Sequence, residues 1–168
     1  MRVLVTAASR HGSTREIAQV IADELTAMAL NVEVKEPKDV DSIEQYDAVV
    51  IGSAIYVGQW LSEARDLVDN HAHELQGKKV WLFSSGLADA PSKEGNSAPA
   101  LLGRMKATGA LAHKHFPGKL DVLQLSLAER AAIMAARGKY GDSRDMAVVR
   151  EWARGIGEDI SQRKTVSA

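Results

Sequence analysis

The sequence predicts an α/β fold in which a doubly wound, five-stranded parallel sheet carries helices on both faces. Three observations lead there. Short apolar, β-branched runs alternate with longer stretches of helical periodicity, the pattern of successive βαβ units. Two of those runs, Asp47–Ser53 and Lys79–Ser84, are apolar with little alternation, as strands covered on both faces are. The 168 residues, 45% hydrophobic and 26% charged, suit one domain spanning residues 1–168 and do not suit a disordered chain. Right-handed crossovers between parallel strands then place helices on both sides of the sheet.

The elements follow in order. Val3–Ala7 is the first strand, and a glycine-containing turn follows it. From Thr14 to Ala29, the residues Ile17, Val20, Ile21, Leu25 and Met28 recur at helical spacing, with Asn31 as the expected breaker. Val32–Val34 alternates like a half-exposed strand, and Asp47–Ser53 supplies the third. Leu61–Leu75 reads as a helix with Leu61, Ala64, Leu67, Val68 and Leu75 on one side. Lys79–Ser84 is the fourth strand, with Trp81 and Phe83 assigned to the core. A Gly-, Ser-, Pro- and Asn-rich loop runs over Ser85–Ser97, and a helix continues through Ala112. The fifth strand has two candidates, Lys114–Phe116 and Asp121–Leu125, interrupted by Pro117-Gly118. Helices over Ala128–Arg137 and Arg144–Ile160 complete the fold, and the polar tail 161–168 is expected to fray.

Composition narrows the chemistry. There is no cysteine, which rules out disulfides, thiolate metal ligands and a cysteine nucleophile. Twenty-one Lys and Arg against 22 Asp and Glu give a net charge of −1, which argues against nucleic acid as a partner. No apolar run approaches the roughly 20 residues that span a bilayer. The start, Met1-Arg2-Val3-Leu4-Val5, lacks the features of a secretory signal, so a cytoplasmic protein is expected. His71, His73, His113 and His115 have no carboxylate partners at ligand spacing, and no metal is assigned.

The most specific stretch is Ser9-Arg10-His11-Gly12-Ser13-Thr14, between the first strand and the first helix. A helix N-terminus offers unpaired N–H groups and the positive end of its dipole, so it favours an anion. Hydroxyls of Ser9, Ser13 and Thr14 add neutral donors, and Gly12 permits close approach of the backbone. A phosphate monoester fits that donor set. The stretch is neither a Walker loop nor a dinucleotide fingerprint. In the plainer alternative, Ser13 or Thr14 caps the helix and Gly12 makes the turn. Taken alone, the loop leaves both open, and His11 on its own reads as a solvated loop residue before it reads as a phosphate neighbour.

Set after the first strand of such a chain, this loop resembles the phosphate loop of the flavodoxin family, Thr/Ser-x-Thr-Gly-x-Thr. His11 replaces the family's middle hydroxyl residue. Two further motifs resemble the flavodoxin-domain branch that includes menaquinone-dependent protoporphyrinogen dehydrogenases. They are Gly52-Ser53-Ala54-Ile55-Tyr56-Val57-Gly58 and Gly141-Asp142-Ser143-Arg144-Asp145, the latter ahead of a helix with Trp152. The resemblance implies a flavodoxin-like sheet of order 2-1-3-4-5 and FMN at the C-terminal strand ends, where doubly wound sheets bind ligands. Ser9, Arg10, His11, Gly12, Ser13 and Thr14 would then take the phosphate. Ser53, Ala54, Ile55, Tyr56, Val57 and Gly58 would face the isoalloxazine ring, and Ser84, Ser85, Gly86 and Leu87 would close its other side. Tyr56 is the stacking candidate, and the amides of Ala54 and Ile55 would reach the pyrimidine edge or N5. Trp60 either stands behind Tyr56 or packs on the core. Asp89–Asn96 either gates the substrate side or is an ordinary surface loop.

The resemblance further implies an FMN-dependent oxidoreductase that moves electrons between an organic substrate, protoporphyrinogen-like, and a quinone-type acceptor. The chemistry would reside on the cofactor, with no catalytic side chain. A flavodoxin-type carrier serving a redox partner protein is the alternative, weakened by the near-neutral charge. A flavin-free interaction domain is another. A receiver-type domain is excluded, because acidic residues are missing from Thr6-Ala7-Ala8 and Ile51-Gly52-Ser53. Leu123, Leu127, Ala131 and Met134 form a stripe within 123–137. The stripe reads first as a core-covering or homodimer-forming helix; the resemblance implies the alternative, since in the dehydrogenases this chain resembles an inserted segment here is linked to membrane and quinone association. Asp142 or Asp145 would cap the last helix, with Arg144 pairing locally.

Overall fold

A computed structural model describes residues 1–56, 59–86, 98–117, 119–120, 141–142 and 144–166. Its centre is β1 (Arg2–Ala8), a β-branched run buried from Val3 to Ala8. β2 (Asn31–Lys35) flanks it on one side and β3 (Ala48–Tyr56) on the other, both parallel to it. β5 (Lys79–Gly86) and β6 (Ala112–Pro117) extend the sheet, giving the order β2-β1-β3-β5-β6. Those five parallel strands reproduce the expected 2-1-3-4-5 order. A sixth strand, the two-residue β4 (Gln59–Trp60), folds back antiparallel on β3 and pairs Ile55 with Trp60.

Helices cover both faces. Side chains alternate along a strand, so Val3, Val5, Val50, Trp81 and Phe83 face one way and Leu4, Val49, Ile51, Val80 and Leu82 the other. The first set packs on α1 (Ser13–Ala27), through Ile17, Ile21 and Leu25, and on α4 (Met146–Val166), through Val149, Ala153, Ile156 and Ile160. The second packs on α2 (Ser62–Gln76), through Ala64, Leu67, Val68 and Leu75, with Met105 of α3 (Ala98–Thr108) against it. Phe83, Phe116 and Trp152 meet edge to face, with centroids 5.5–6.2 Å apart, and tie α4 to the sheet.

Several boundaries move, each for a local reason. α1 stops at Ala27, and its terminator is Ala29 at φ 65, not Asn31. The N–H groups of Ala29 and Leu30 return to the carbonyls of Thr26 and Leu25, a left-handed helix end built without glycine. Ser53 does not open a loop: β3 runs on to Tyr56 because β4 supplies backbone partners there. Ser84, Ser85 and Gly86 likewise lie within β5, paired with His115, Phe116 and Pro117. α3 ends at Thr108 rather than Ala112, since Gly109 turns the chain at φ 68. Of the two fifth-strand candidates, the structure takes Lys114–Phe116, lengthened to Ala112–Pro117; Asp121–Leu125 lies outside the described residues. α4 continues to Val166, past the expected end at Ile160, and Asp145 rather than Asp142 caps it, accepting the Ala147 N–H at 3.0 Å. Asp142 instead belongs to β8 (Gly141–Asp142), which pairs with β7 (Lys119–Leu120).

Candidate functional site

The C-terminal ends of β1, β3 and β5 converge on one edge of the sheet, as the parallel registers Ala8–Ser53 and Ser53–Ser84 require. At the first of these ends, Ser9 Oγ accepts the Gly12 N–H at 2.9 Å and folds the turn. Gly12 sits at φ 89 as the residue before α1. A Cβ there would meet nothing within 4 Å, so the left-handed backbone, not crowding, calls for glycine. Ser13 and Thr14 both lie inside the helix, and its N-cap is Gly12, which makes no side-chain cap hydrogen bond. The first N–H groups of a helix have no partner within it. Thr14 is 2% exposed, and no hydrogen bond among the described residues engages its hydroxyl. His11 is exposed.

An acidic residue, Glu16, lies in that same first turn, where it would oppose an incoming anion. Arg144 answers it. Its Nη1 donates to Glu16 Oε2 and reaches the Ser13 carbonyl at 3.5 Å, with the side chain only 8% exposed. This pairing runs across the molecule, because α4 packs beside α1. Arg10 stacks its guanidinium 4.1 Å from the Tyr56 ring centroid, joining the first loop to the end of β3.

The second and third strand ends differ from an open pair of loops. Ser53 Oγ donates to the Ala54 carbonyl at 2.8 Å and accepts the Leu61 N–H at 3.0 Å, so its hydroxyl fixes the entry to α2. Ala54 and Ile55 stand in register with Ser85 and Trp60. Trp60 is a core residue, 1% exposed, whose Nε1–H donates to Ser84 Oγ at 2.8 Å. Ser84 Oγ also lies 2.8 Å from His113 Nε2. Because the indole donates to that oxygen, the hydroxyl proton is available to a neutral His113, which then carries its own proton on Nδ1. Burial first, then the charges of Arg104 and His115, push His113 down to about 4, so it is neutral near pH 7. Burial also lowers His115. Ser85 is buried, and Gly86 lies against Ile55 and His115, where a Cβ would sit 3.4 Å from Ile55 Cβ.

Val57, Gly58, Leu87, the Asp89–Asn96 stretch and the 123–137 stripe lie outside the described residues. Sequence reasoning missed the Trp60–Ser84–His113 link, the Glu16–Arg144 pair and Arg104, which stacks 4.2 Å over Trp60. No local pattern marks them, since each joins residues far apart in sequence. Among the described residues there is no group of three or more His, Asp or Glu side chains placed to hold a metal ion. No described helix is long and apolar enough to cross a membrane.

Comparison with known proteins agrees with this geometry. The flavodoxin domain family matches over residues 4–146. Protoporphyrinogen IX dehydrogenase [quinone] of Escherichia coli strain K12 is 33% identical over 96 residues, covering 55% of this chain and 53% of that protein. An uncharacterized protein of Methanocaldococcus jannaschii is 36% identical over 75 residues, 45% of this chain and 47% of its own. The chain thus matches about half the length of these curated relatives. Among solved structures, a short-chain flavodoxin associated with a PDU bacterial microcompartment aligns with TM-score 0.65 and 18% identity over 95% of this chain and 98% of its own. A flavodoxin from the domain Archaea aligns with TM-score 0.59 and 22% identity over 82% and 97%. At those identities the structural likeness establishes the fold.

Proposed function

This chain belongs to the flavodoxin domain family, a family of flavin proteins, and from that premise we propose that it binds FMN and moves hydrogen equivalents from an organic donor to a quinone-type acceptor. The observation that carries the cofactor is the buried Thr14 hydroxyl, unengaged in the first turn of α1, with the left-handed Gly12 as N-cap before it. An FMN phosphate matches that donor set, and riboflavin has no group for it. Bound there, FMN supplies the reversible redox chemistry of its ring. The protein's part is to hold and expose it. Ser9 shapes the phosphate turn, and Arg144 neutralises Glu16 so that the turn accepts an anion. Tyr56, covered on one face by Arg10, has its other face for the ring. The ladder residues Ala54, Ile55, Ser85 and Gly86 form a rigid floor between them.

The dehydrogenase relative supports the quinone acceptor and a protoporphyrinogen-like donor, and the net charge of −1 gives little purchase to the charge-steered docking of a dedicated carrier. The test has two stages. Flavin-stripped protein is titrated with FMN and with riboflavin, and tight FMN binding with much weaker riboflavin binding is expected. Equal affinities would remove the phosphate assignment. The loaded protein is then assayed for quinone reduction with protoporphyrinogen as donor. FMN binding without turnover would leave a flavin carrier and sink the dehydrogenase reading.

A further inference from the structure

On the α2–α3 side of the β3–β4 hairpin an open cleft of about 310 Å³ is lined by Tyr56, Gln59, Trp60, Leu61 and Arg65. Its charge is one-sided. Arg104 lies over the Trp60 ring at 4.2 Å, and its Nη1 is buried with no hydrogen-bond partner. Among the described residues, the charge that lowers Arg104 further, after burial, is that of Arg65, a repulsive one. Arg65 itself forms no ion pair among the described residues, although Glu63, Asp66 and Asp69 share its helix. Two guanidinium groups that repel one another beside an aromatic wall, one with an orphaned buried donor, are out of keeping with a purely structural role. An anion in the cleft beside Arg65 would offset the repulsion between the two.

We propose that this cleft is a carboxylate subsite, taking the acid-bearing edge of a flat conjugated molecule. Arg65, exposed at the rim, meets the carboxylate as a planar fork. Arg104 supplies positive potential from behind Trp60, and the ring edge of the ligand lies along Tyr56. The volume is at the small end for ligand clefts, so it receives one ring and its acid arm, with the rest of a larger molecule outside. His113 adds no positive charge there, being neutral and bonded to Ser84. Binding in the cleft stands on the arginines alone. That an occupant would lie next to the flavin, as an electron donor or acceptor must, rests on the function proposed above.

The test is calorimetric titration of the full chain, loaded with whatever flavin it retains, with 2-naphthoate and with the uncharged 2-naphthamide. Naphthoate should bind at least about ten-fold more tightly than the amide, the least expected of a charged hydrogen bond. Arg65→Gln, at an exposed helix position, should abolish that preference, and Arg104→Gln should weaken naphthoate and leave the amide unchanged. Failure of naphthoate to bind, equal affinities, or a preference that survives Arg65→Gln would each overturn the proposal. So would displacement of bound flavin by naphthoate, since the cleft would then be the ring seat itself. The same titration on flavin-free protein separates failure of the subsite from failure of the FMN assignment.

Discussion

Replacing Gly52 with alanine should destabilise the protein through one contact. Gly52 is the cross-strand neighbour of Phe83, whose ring lies over the glycine. A Cβ at position 52 would stand 2.1 Å from Phe83 Cζ and 2.3 and 2.4 Å from the two Cε atoms. Carbon atoms settle at about 3.5–4.0 Å, so the ring must retreat by roughly 1.5 Å. It has nowhere to go. Phe83 is fully buried and already packs edge on to Phe116 and Trp152, with centroids at 6.0 and 6.2 Å. Overpacking of this kind costs about 1–3 kcal/mol, and a rigid ring between two others places it near the top. For a domain of this size, about 3 kcal/mol lowers Tm by roughly 6–12 °C. Urea and thermal melts of the wild type, Gly52→Ala, Phe83→Leu and the double variant measure the coupling. In the Phe83→Leu background the alanine should cost under about 1 kcal/mol, since the ring is gone. A Gly52→Ala stability within about 0.5 kcal/mol of wild type, or strictly additive effects, would refute the reasoning.

Three other outcomes are expected. Thr14→Val should weaken FMN binding by about 1.5–3 kcal/mol, a loss of roughly ten- to hundred-fold that equilibrium titration resolves, while leaving riboflavin binding unchanged. His113→Gln should flatten the acid side of the stability profile. The folded value near 4 lies below the ordinary 6.5, so the unfolded chain takes the proton first and stability falls as pH drops through that window; urea midpoints at its two ends should differ less in the variant. Ala29→Gly should raise the urea midpoint, because relief of a left-handed alanine, about 1–2 kcal/mol, exceeds the roughly 0.5–1 kcal/mol entropic cost of glycine.

What the sequence made legible follows the range over which each residue acts. β1, β3 and β5 are apolar on both faces, so their own composition marks them, and the strand order followed from the chemistry of the turn after β1 together with a family resemblance. The turn proposed for the phosphate stood out because Gly12 and its hydroxyl neighbours are contiguous. β4 escaped, since two residues carry no periodicity and owe their strand geometry to Ile55 and Tyr56 across the hairpin. The end of α1 escaped because nothing in alanine's chemistry announces a left-handed residue. Ser53 and Ser84, which the resemblance places beside the flavin ring, engage Leu61, Trp60 and His113 through their hydroxyls, partners that only the folded sheet brings near.

Gly52 and Arg144 show how motifs near a ligand site acquire their residues for reasons other than contact. Gly52 heads the stretch expected to face the flavin ring, but its missing side chain is filled by Phe83, which in turn seats Trp152 and hence α4. α4 then begins two residues after Arg144, whose position across from Glu16 depends on that seating. The aromatic contact and the ion pair therefore act in series: the first sets where α4 lies, and the second uses that placement to quiet a negative charge at the mouth of the phosphate turn. A carboxylate in the first turn of α1 is normally favourable to the helix, so Glu16 stabilises α1 when the site is empty and would oppose phosphate when it is filled. Pairing it with Arg144 keeps the helix benefit and removes most of the opposition an anion would meet, which ties a residue 128 positions away to the turn proposed for the phosphate.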